Sequence, residues 1–263
     1  MDLNLNKRVA FIAGSSQGLG FAIAKQLYEE NATVIINGRY EQKLEESARI
    51  LTNSGNNQVF AFAGDVTDPV FSNELFDFLS SKFGKLDILV TNAGGPKPSS
   101  FETVNDETWN NAFELSFMSH VRLIRSLLPL LKESPIANVL TITSYSAKQP
   151  IPNLILSNSI RAATIGLTKS LALELGEYGI RFNSILPGWT LTERVNQLME
   201  NRASLNGTTI EDEINKQAKE SPLGRMAKPE EFANVAAFLV SPRASYLTGS
   251  MISVDGGMVK GIF

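Results

Sequence analysis

Short apolar segments rich in β-branched residues alternate along the chain with longer segments whose apolar positions recur at helical spacing. The apolar segments predict seven strands, at residues 9–13, 33–37, 58–63, 86–91, 138–143, 181–186 and 251–254. Strands that alternate with helices are typical of a parallel α/β sheet, and near-continuous apolar strands indicate helices on both faces. The pattern therefore predicts one doubly wound parallel sheet of about seven strands.

Composition narrows the class of protein further. The 263 residues carry a net charge of -3 and no cysteine, which excludes disulfides and thiolate chemistry. A chain of this size buries about 75% of its unfolded surface, so we expect a single domain over residues 1–263. No apolar run approaches the roughly 20 residues that span a bilayer, and the amino terminus lacks the apolar core of a signal peptide. We therefore expect a cytoplasmic protein with no membrane partner. The weakly acidic balance offers no basic stripe for nucleic acid, and we predict no metal site.

Residues 190–228 interrupt the alternation of strands and helices. This stretch is polar, carries charges of both signs and contains no strand pattern, so we interpret it as a helical flap inserted after the sixth strand. Long insertions often form lids over binding sites. The alternative is a solvated surface excursion, and the position directly after a cofactor-type motif favours the lid.

A glycine-rich turn follows the first predicted strand and leads into an amphipathic helical run. It comprises Gly14, Ser15, Ser16, Gln17, Gly18, Leu19 and Gly20. Glycines permit a tight turn and close backbone approach, so that a pyrophosphate can bind at the helix amino terminus. The alternative, a turn that serves only strand-to-helix packing, is weighed against the motifs that follow.

The end of the second predicted strand bears on the choice of cofactor. It reads Asn37-Gly38-Arg39, where an NAD-dependent enzyme usually has an acidic residue against the ribose 2′-hydroxyl. The guanidinium of Arg39 can instead pair with a 2′-phosphate, which favours NADP over NAD. A solvated loop charge is the alternative for Arg39.

Turn motifs also follow the third, fourth and sixth predicted strands. They are Asp65-Val66, Asn92-Ala93-Gly94 and a Pro187-Gly188 loop that reaches Thr192. Each alone is compatible with ordinary turn chemistry. Ligands of doubly wound sheets bind beyond the carboxyl ends of the strands, which is where all of these motifs lie.

In order and spacing these motifs resemble the short-chain dehydrogenase/reductase family over residues 7–257, including the closing Val254-Asp255-Gly256-Gly257. The resemblance is to the 3-ketoacyl-acyl-carrier-protein reductase branch. It implies a Rossmann-type fold, an oxidoreductase and a nicotinamide dinucleotide cofactor. It also implies that Asp65-Val66 contacts the adenine, and that Thr192 meets the nicotinamide or pyrophosphate portion.

The resemblance extends to the catalytic positions, but most of their residues differ here. Family members have a serine, a tyrosine thirteen residues later and a lysine four after that, and this chain has Ser144, Ser157 and Arg161. A helix asparagine is replaced by Ser116, seven residues after Trp109. Ser157 has no useful titration near neutral pH, whereas Arg161 keeps the positive charge and can still bind the ribose, although it cannot be deprotonated.

Other groups near these positions are alternative proton donors. Tyr145, Lys148 and His120 are candidates, although each is better explained as structural, and water is a further source. Loss of general acid catalysis costs on the order of 10²- to 10⁴-fold, whereas orientation of reactants supplies about 7–11 kcal/mol. We therefore expect an NADP-preferring oxidoreductase acting on a small carbonyl or alcohol. A non-catalytic NADP(H)-binding sensor or a structural subunit is the alternative.

Two long helical segments, residues 106–132 and 156–178, resemble those through which family members form dimers and tetramers. Leu167, Leu171 and Leu175 recur at helical spacing in the second segment. Burial against the protein's own sheet accounts for part of this stripe. We expect a homodimer or homotetramer.

Overall fold

Seven parallel strands form a single sheet in the computed structural model, which describes residues 1–53, 55 and 58–262. The strands are β1 (Val9–Ile12), β2 (Thr33–Gly38), β3 (Val59–Ala63), β4 (Ile88–Thr91), β5 (Asn138–Ile142), β6 (Arg181–Pro187) and β7 (Met251–Val254). Their order is β3-β2-β1-β4-β5-β6-β7, so the direction of winding reverses between β1 and β4. The predicted fold is confirmed, and each predicted strand end lies within two residues of the observed one.

Helices cover both faces of this sheet. The helices are α1 (Gly18–Glu29), α2 (Glu41–Thr52), α3 (Phe71–Phe83), α4 (Asp106–Phe113), α5 (Ser119–Lys132), α6 (Ile155–Leu175), α7 (Glu193–Asn206), α8 (Ile210–Ala218) and α9 (Pro229–Val240). One apolar cluster joins the sheet to α1, α2 and α9, and a second joins it to α3, α5 and α6. Along β1, Ala10 and Ile12 belong to the first cluster and Val9 and Phe11 to the second. Burial on both faces explains why the strands are apolar without alternation.

The sequence predicted one long helix over residues 106–132, but the structure shows that this segment is interrupted. A π-helical turn, Glu114–Met118, separates α4 from α5. At its centre the carbonyl of Ser116 accepts a hydrogen bond of 3.0 Å from the Thr164 hydroxyl on α6. The Ser116 hydroxyl donates to the carbonyl of Gly94 at 3.4 Å. Such turns are frequent at functional sites, and this one carries Ser116, one of the four predicted catalytic positions.

Residues 190–228 contain α7 and α8, and their base is closed by backbone hydrogen bonds. Leu191 donates to Ala227 at 2.9 Å, and Ala227 donates to Trp189 at 3.0 Å. The buried Glu213 carboxylate accepts from Asn206 and fixes the turn between the two helices. That this segment acts as a substrate flap stays a prediction. Of the helices described, none is both long and apolar enough to cross a membrane.

Candidate active site

The glycine-rich turn lies at the carboxyl end of β1. Gly14 and Gly18 have φ values of 57° and 62°, a left-handed conformation that favours glycine. A Cβ at Gly20 would lie 2.3 Å from the carbonyl oxygen of Gly14, so a side chain there would separate α1 from the turn. No side chain caps α1 at Gln17, and its first turn contains no acidic residue. These features fit a pyrophosphate, because uncapped N–H groups and the helix dipole favour an anion.

Two asparagines tie this turn to the neighbouring strands. The buried Asn37 accepts from the backbone N–H of Gly14 at 3.1 Å and donates to the carbonyls of Phe62 and Gly64. Asn92 donates to the carbonyl of Gly14 at 3.1 Å. The ends of β1 to β4 are therefore held together. Sequence reasoning missed the role of Asn37, although a polar amide within an apolar strand is a usable signal.

The other predicted residues of the turn divide into two groups. The Ser15 hydroxyl is buried, where it donates to the Ile12 carbonyl and accepts from the Asn37 backbone N–H. Leu19 packs against the first apolar cluster. The side chains of Ser15 and Leu19 therefore build the turn. Ser16 faces the end of β2, where its hydroxyl would lie 2.8 Å from a Cβ at Gly38.

Two basic side chains, Arg39 and Lys43, lie around the end of β2 and the start of α2. Arg39 follows β2 with a side chain that is 65% exposed, and its nearest carboxylate oxygen belongs to Asp65 at 3.8 Å. An exposed pair of this kind contributes little, so Arg39 is free to bind an anion. Lys43, in the first turns of α2, donates to the side chain of Gln17. Sequence reasoning missed Lys43, although a basic residue in the first turn of a helix that follows this strand is a usable signal. Arg39 at the end of β2 and Lys43 in contact with the glycine-rich turn are therefore two cations available to a bound dinucleotide.

The loops after β3, β4 and β6 lie at the same edge of the sheet. Asp65 accepts from the backbone and the hydroxyl of Thr67, and Val66 packs against the second apolar cluster. After β6, the Gly188 N–H donates to the Val254 carbonyl at 2.9 Å, which places the loop beyond Pro187 over the sheet edge. The Thr192 side chain lies 4.0 Å from where a Cβ at Gly18 would stand, so the two loops meet.

The catalytic positions predicted from the sequence lie near the carboxyl end of β5. The Ser144 hydroxyl accepts from the Ser146 N–H at 3.1 Å. The hydroxyls of Ser146 and Ser157 are 3.3 Å apart, and both residues are buried. Arg161 donates to the carbonyl of Ile142, the last residue of β5, at 3.5 Å. The hydroxyl of Ser157 therefore has its hydrogen-bond partner in the loop after β5.

Arg161 lies in an unusual electrostatic environment. Burial and the nearby charge of Arg194 lower the pKa of Arg161 to about 10, which still leaves it charged at neutral pH. Its Nε is buried and has no hydrogen-bond partner among the described residues. Arg194, on α7, donates to the carbonyl of Gly95 at 3.3 Å. Sequence reasoning missed Arg194, because it lies in a polar stretch without interpretable periodicity.

The alternative proton donors are poorly suited to the task. Burial and the charge of Arg161 lower the pKa of His120 to about 3, so His120 is neutral. Burial, followed by the charge of Glu220, raises the pKa of Tyr145 to about 12. Lys148 is exposed. Within the described part of the chain, no three acidic or histidine side chains cluster as metal ligands.

Two kinds of comparison with known proteins bear on this site. A family model for enoyl-(acyl carrier protein) reductase matches residues 13–259. The NADPH-dependent reductase BacG of Bacillus subtilis (strain 168) is 32% identical over 98% of this chain and 100% of its own length. The 3-oxoacyl-[acyl-carrier-protein] reductase FabG of Vibrio cholerae is 28% identical over 97% and 99% of the two chains. A ketoacyl reductase is therefore among the relatives, beside reductases and dehydrogenases with other substrates.

Solved structures give the same result. L-sorbose reductase from Gluconobacter frateurii, complexed with NADPH and L-sorbose, matches with a TM-score of 0.96 and 35% identity over 100% of both chains. An NADPH-bound short chain oxidoreductase from Pseudomonas aeruginosa PAO1 that contains an atypical catalytic center matches with a TM-score of 0.89 and 30% identity, over 97% and 99% of the chains. The prediction of an NADP-type cofactor agrees with these relatives. The fold, the motifs and the relatives together show that this chain belongs to the short-chain dehydrogenase/reductase family.

Proposed function

We propose that the protein is an NADPH-dependent reductase of a small carbonyl substrate, in which Ser144 and Arg161 do the work that the family divides among four residues. One observation carries the proposal. The anion-suited glycine turn and the catalytic positions lie at the same carboxyl edge of the sheet, on either side of the point where the winding reverses. Doubly wound folds bind their ligands at this point. The NADPH-dependent relatives support the same cofactor for this chain.

The proposed roles follow from charge and titration. Bound NADPH would supply a hydride to the carbonyl carbon, after which the carbonyl oxygen needs one proton. The Ser144 hydroxyl donates a hydrogen bond to that oxygen. Arg161 remains charged at neutral pH and therefore stabilises the negative charge that develops on the oxygen. Ser157 has no acid role, so the proton comes from water.

This division of labour predicts a slow enzyme. Loss of a positioned general acid costs on the order of 10²- to 10⁴-fold. Orientation of the two reactants supplies about 7–11 kcal/mol of barrier reduction, and it does not depend on a phenol. Turnover therefore survives at a reduced rate.

The test is NADPH oxidation, followed by absorbance, across a panel of ketones, aldehydes, sugars and oxo acids. Ser144→Ala should lower kcat/KM for any active substrate by about ten-fold or more, which corresponds to one lost hydrogen bond to developing charge. Ser157→Ala should change the rate little. Ser170→Ala is the matched control, because Ser170 is exposed on α6 and bonded to the Gly166 carbonyl. A large loss in Ser157→Ala, with unchanged folding and NADPH affinity, would contradict the assigned roles.

A second candidate function is a non-catalytic NADP(H)-binding sensor or a structural subunit of an oligomer. It is favoured by the replacement of three of the four family residues, at Ser116, Ser157 and Arg161. Tight NADPH binding with no turnover on any member of the panel would favour this candidate. Turnover that depends on Ser144 would exclude it.

A further inference from the structure

We propose that the substrate of this site is an oxo acid, whose carboxylate binds between the guanidinium groups of Arg161 and Arg194. The inference rests on the proposed function, since it names the substrate class of the same site.

The two guanidinium groups converge on one point although they come from distant segments. Arg161 lies on α6, and Arg194 lies on α7 in the segment formed by residues 190–228. A Cβ at Gly95 would stand 3.3 Å from Nη2 of Arg161 and 3.2 Å from Nη2 of Arg194. The two nitrogens therefore lie no further apart than the sum of these distances, about 6.5 Å. A carboxylate accepts charge-assisted hydrogen bonds at about 2.7–2.9 Å, so one carboxylate can join both groups.

In the described part of the chain, no carboxylate pairs with either of these charges. Among the described residues, neither arginine forms an ion pair, and the buried Nε of Arg161 has no acceptor. His120 also lies close enough to Arg161 to respond to its charge, but it is neutral and adds no further charge. Arg161 is half-buried with its Nε fully enclosed, whereas Arg194 is exposed. A buried charge is normally paired and like charges repel each other, so a ligand that carries negative charge would satisfy both guanidinium groups.

The position of the pair assigns this anion to the substrate and not to the cofactor. The anions of the predicted cofactor have other partners: Arg39 for the 2′-phosphate, and the uncapped end of α1, with Lys43 against Gln17, for the pyrophosphate. Arg161 instead follows Ser157 by one helical turn, next to the catalytic positions. The anionic group therefore lies close to the reacting carbonyl, as in a 2-oxo or 3-oxo acid.

The experiment is a calorimetric titration of the NADP⁺-saturated protein with 2-oxobutanoate and with its neutral analogue 2-oxobutanamide. The wild-type protein should bind the carboxylate at least about ten-fold more tightly than the amide, the range of one hydrogen bond to a charged group. Arg194→Gln should abolish most of this preference, and Arg194→Lys should retain part of it. Arg49→Gln is the matched control, because Arg49 is an exposed arginine on α2.

Each outcome decides the proposal. Equal binding of the two probes by the wild-type protein, or an unchanged preference in Arg194→Gln, overturns it, even if a neutral carbonyl is reduced and the proposed function stands. Weaker NADP⁺ binding in Arg194→Gln with unchanged probe selectivity assigns the arginine to the cofactor and also overturns it. Selective carboxylate binding lost in Arg194→Gln supports the inference, even if no oxo acid is turned over and the proposed function fails.

Discussion

Lowering the pH from 7.5 to 5.0 should destabilise the protein by about 2 kcal/mol through one side chain, His120. This imidazole is buried on α5, and burial together with the charge of Arg161 lowers its pKa from 6.5 to about 3. The folded protein therefore keeps His120 neutral in a range where the unfolded chain binds a proton. The stability is fully present above pH 6.5 and is lost as the pH falls toward 3.

The magnitude follows from the linkage between proton binding and folding. Each pH unit between the two pKa values costs about 1.4 kcal/mol, so the 1.5 units between 6.5 and 5.0 cost about 2 kcal/mol. Carboxylates act in the same direction at lower pH. The pKa of Glu231 is lowered to about 2 by its hydrogen bonds with Arg225 and Lys228, and stability from this group is lost below about pH 4.5. The interval from 7.5 to 5.0 therefore isolates the histidine.

The assay is urea unfolding of the wild-type protein and of His120→Gln at four pH values between 7.5 and 5.0, at one protein concentration. The free energy of unfolding of the wild type should fall by about 2 kcal/mol more than that of the variant over this range. No other imidazole contributes, because His120 is the only histidine in the chain. Any cost of the substitution itself cancels, since only the change with pH is compared. Parallel pH profiles would refute the assignment of a buried, neutral His120.

Four further predictions concern the cofactor site and the assembly. The unaltered protein should bind NADP(H) more tightly than NAD(H), and Arg39→Asp should reverse this order in calorimetry, whereas equal affinities before the change would rule out a 2′-phosphate contact. Gly20→Ala places a Cβ 2.3 Å from the Gly14 carbonyl and should cost about 1–3 kcal/mol in urea unfolding and weaken NADPH binding; an unchanged protein would argue against the tight turn. Arg161→Ala should weaken NADPH binding by about 1.5–3 kcal/mol through the loss of a charged donor, which a fluorescence titration would detect or exclude. Sedimentation at micromolar concentration should show a dimer or tetramer, and a single monomeric species would contradict that expectation.

The sheet could be predicted from the sequence because its strands are buried on both faces. A strand such as β1 needs an apolar residue at every position, which leaves a continuous signal with sharp ends. The glycine turn and Asn92 were predictable for a related reason. They occupy fixed positions after strands, and their backbone geometry restricts which residues are tolerated.

The surroundings of Arg194 and Ser116 could not be predicted in the same way. Arg194 approaches Gly95 across 99 positions of sequence, and this contact depends on how residues 190–228 fold back over the sheet. No periodic pattern records such a contact. The π-helical turn at Ser116 was likewise hidden, because its carbonyl is held by Thr164 from another helix. Local propensity describes neither interaction.

The residues around the predicted catalytic positions share one electrostatic property, which is that their charge does not change near neutral pH. Arg161 has a pKa of about 10, lowered by burial and the charge of Arg194, and therefore keeps its proton at neutral pH. None of Arg161, His120 and Tyr145 titrates near neutral pH. Ser157 is buried with its hydroxyl 3.3 Å from that of Ser146, and an aliphatic hydroxyl does not titrate near neutral pH. What Arg161 adds is permanent charge, and a permanent charge is most useful where the ligand itself is anionic.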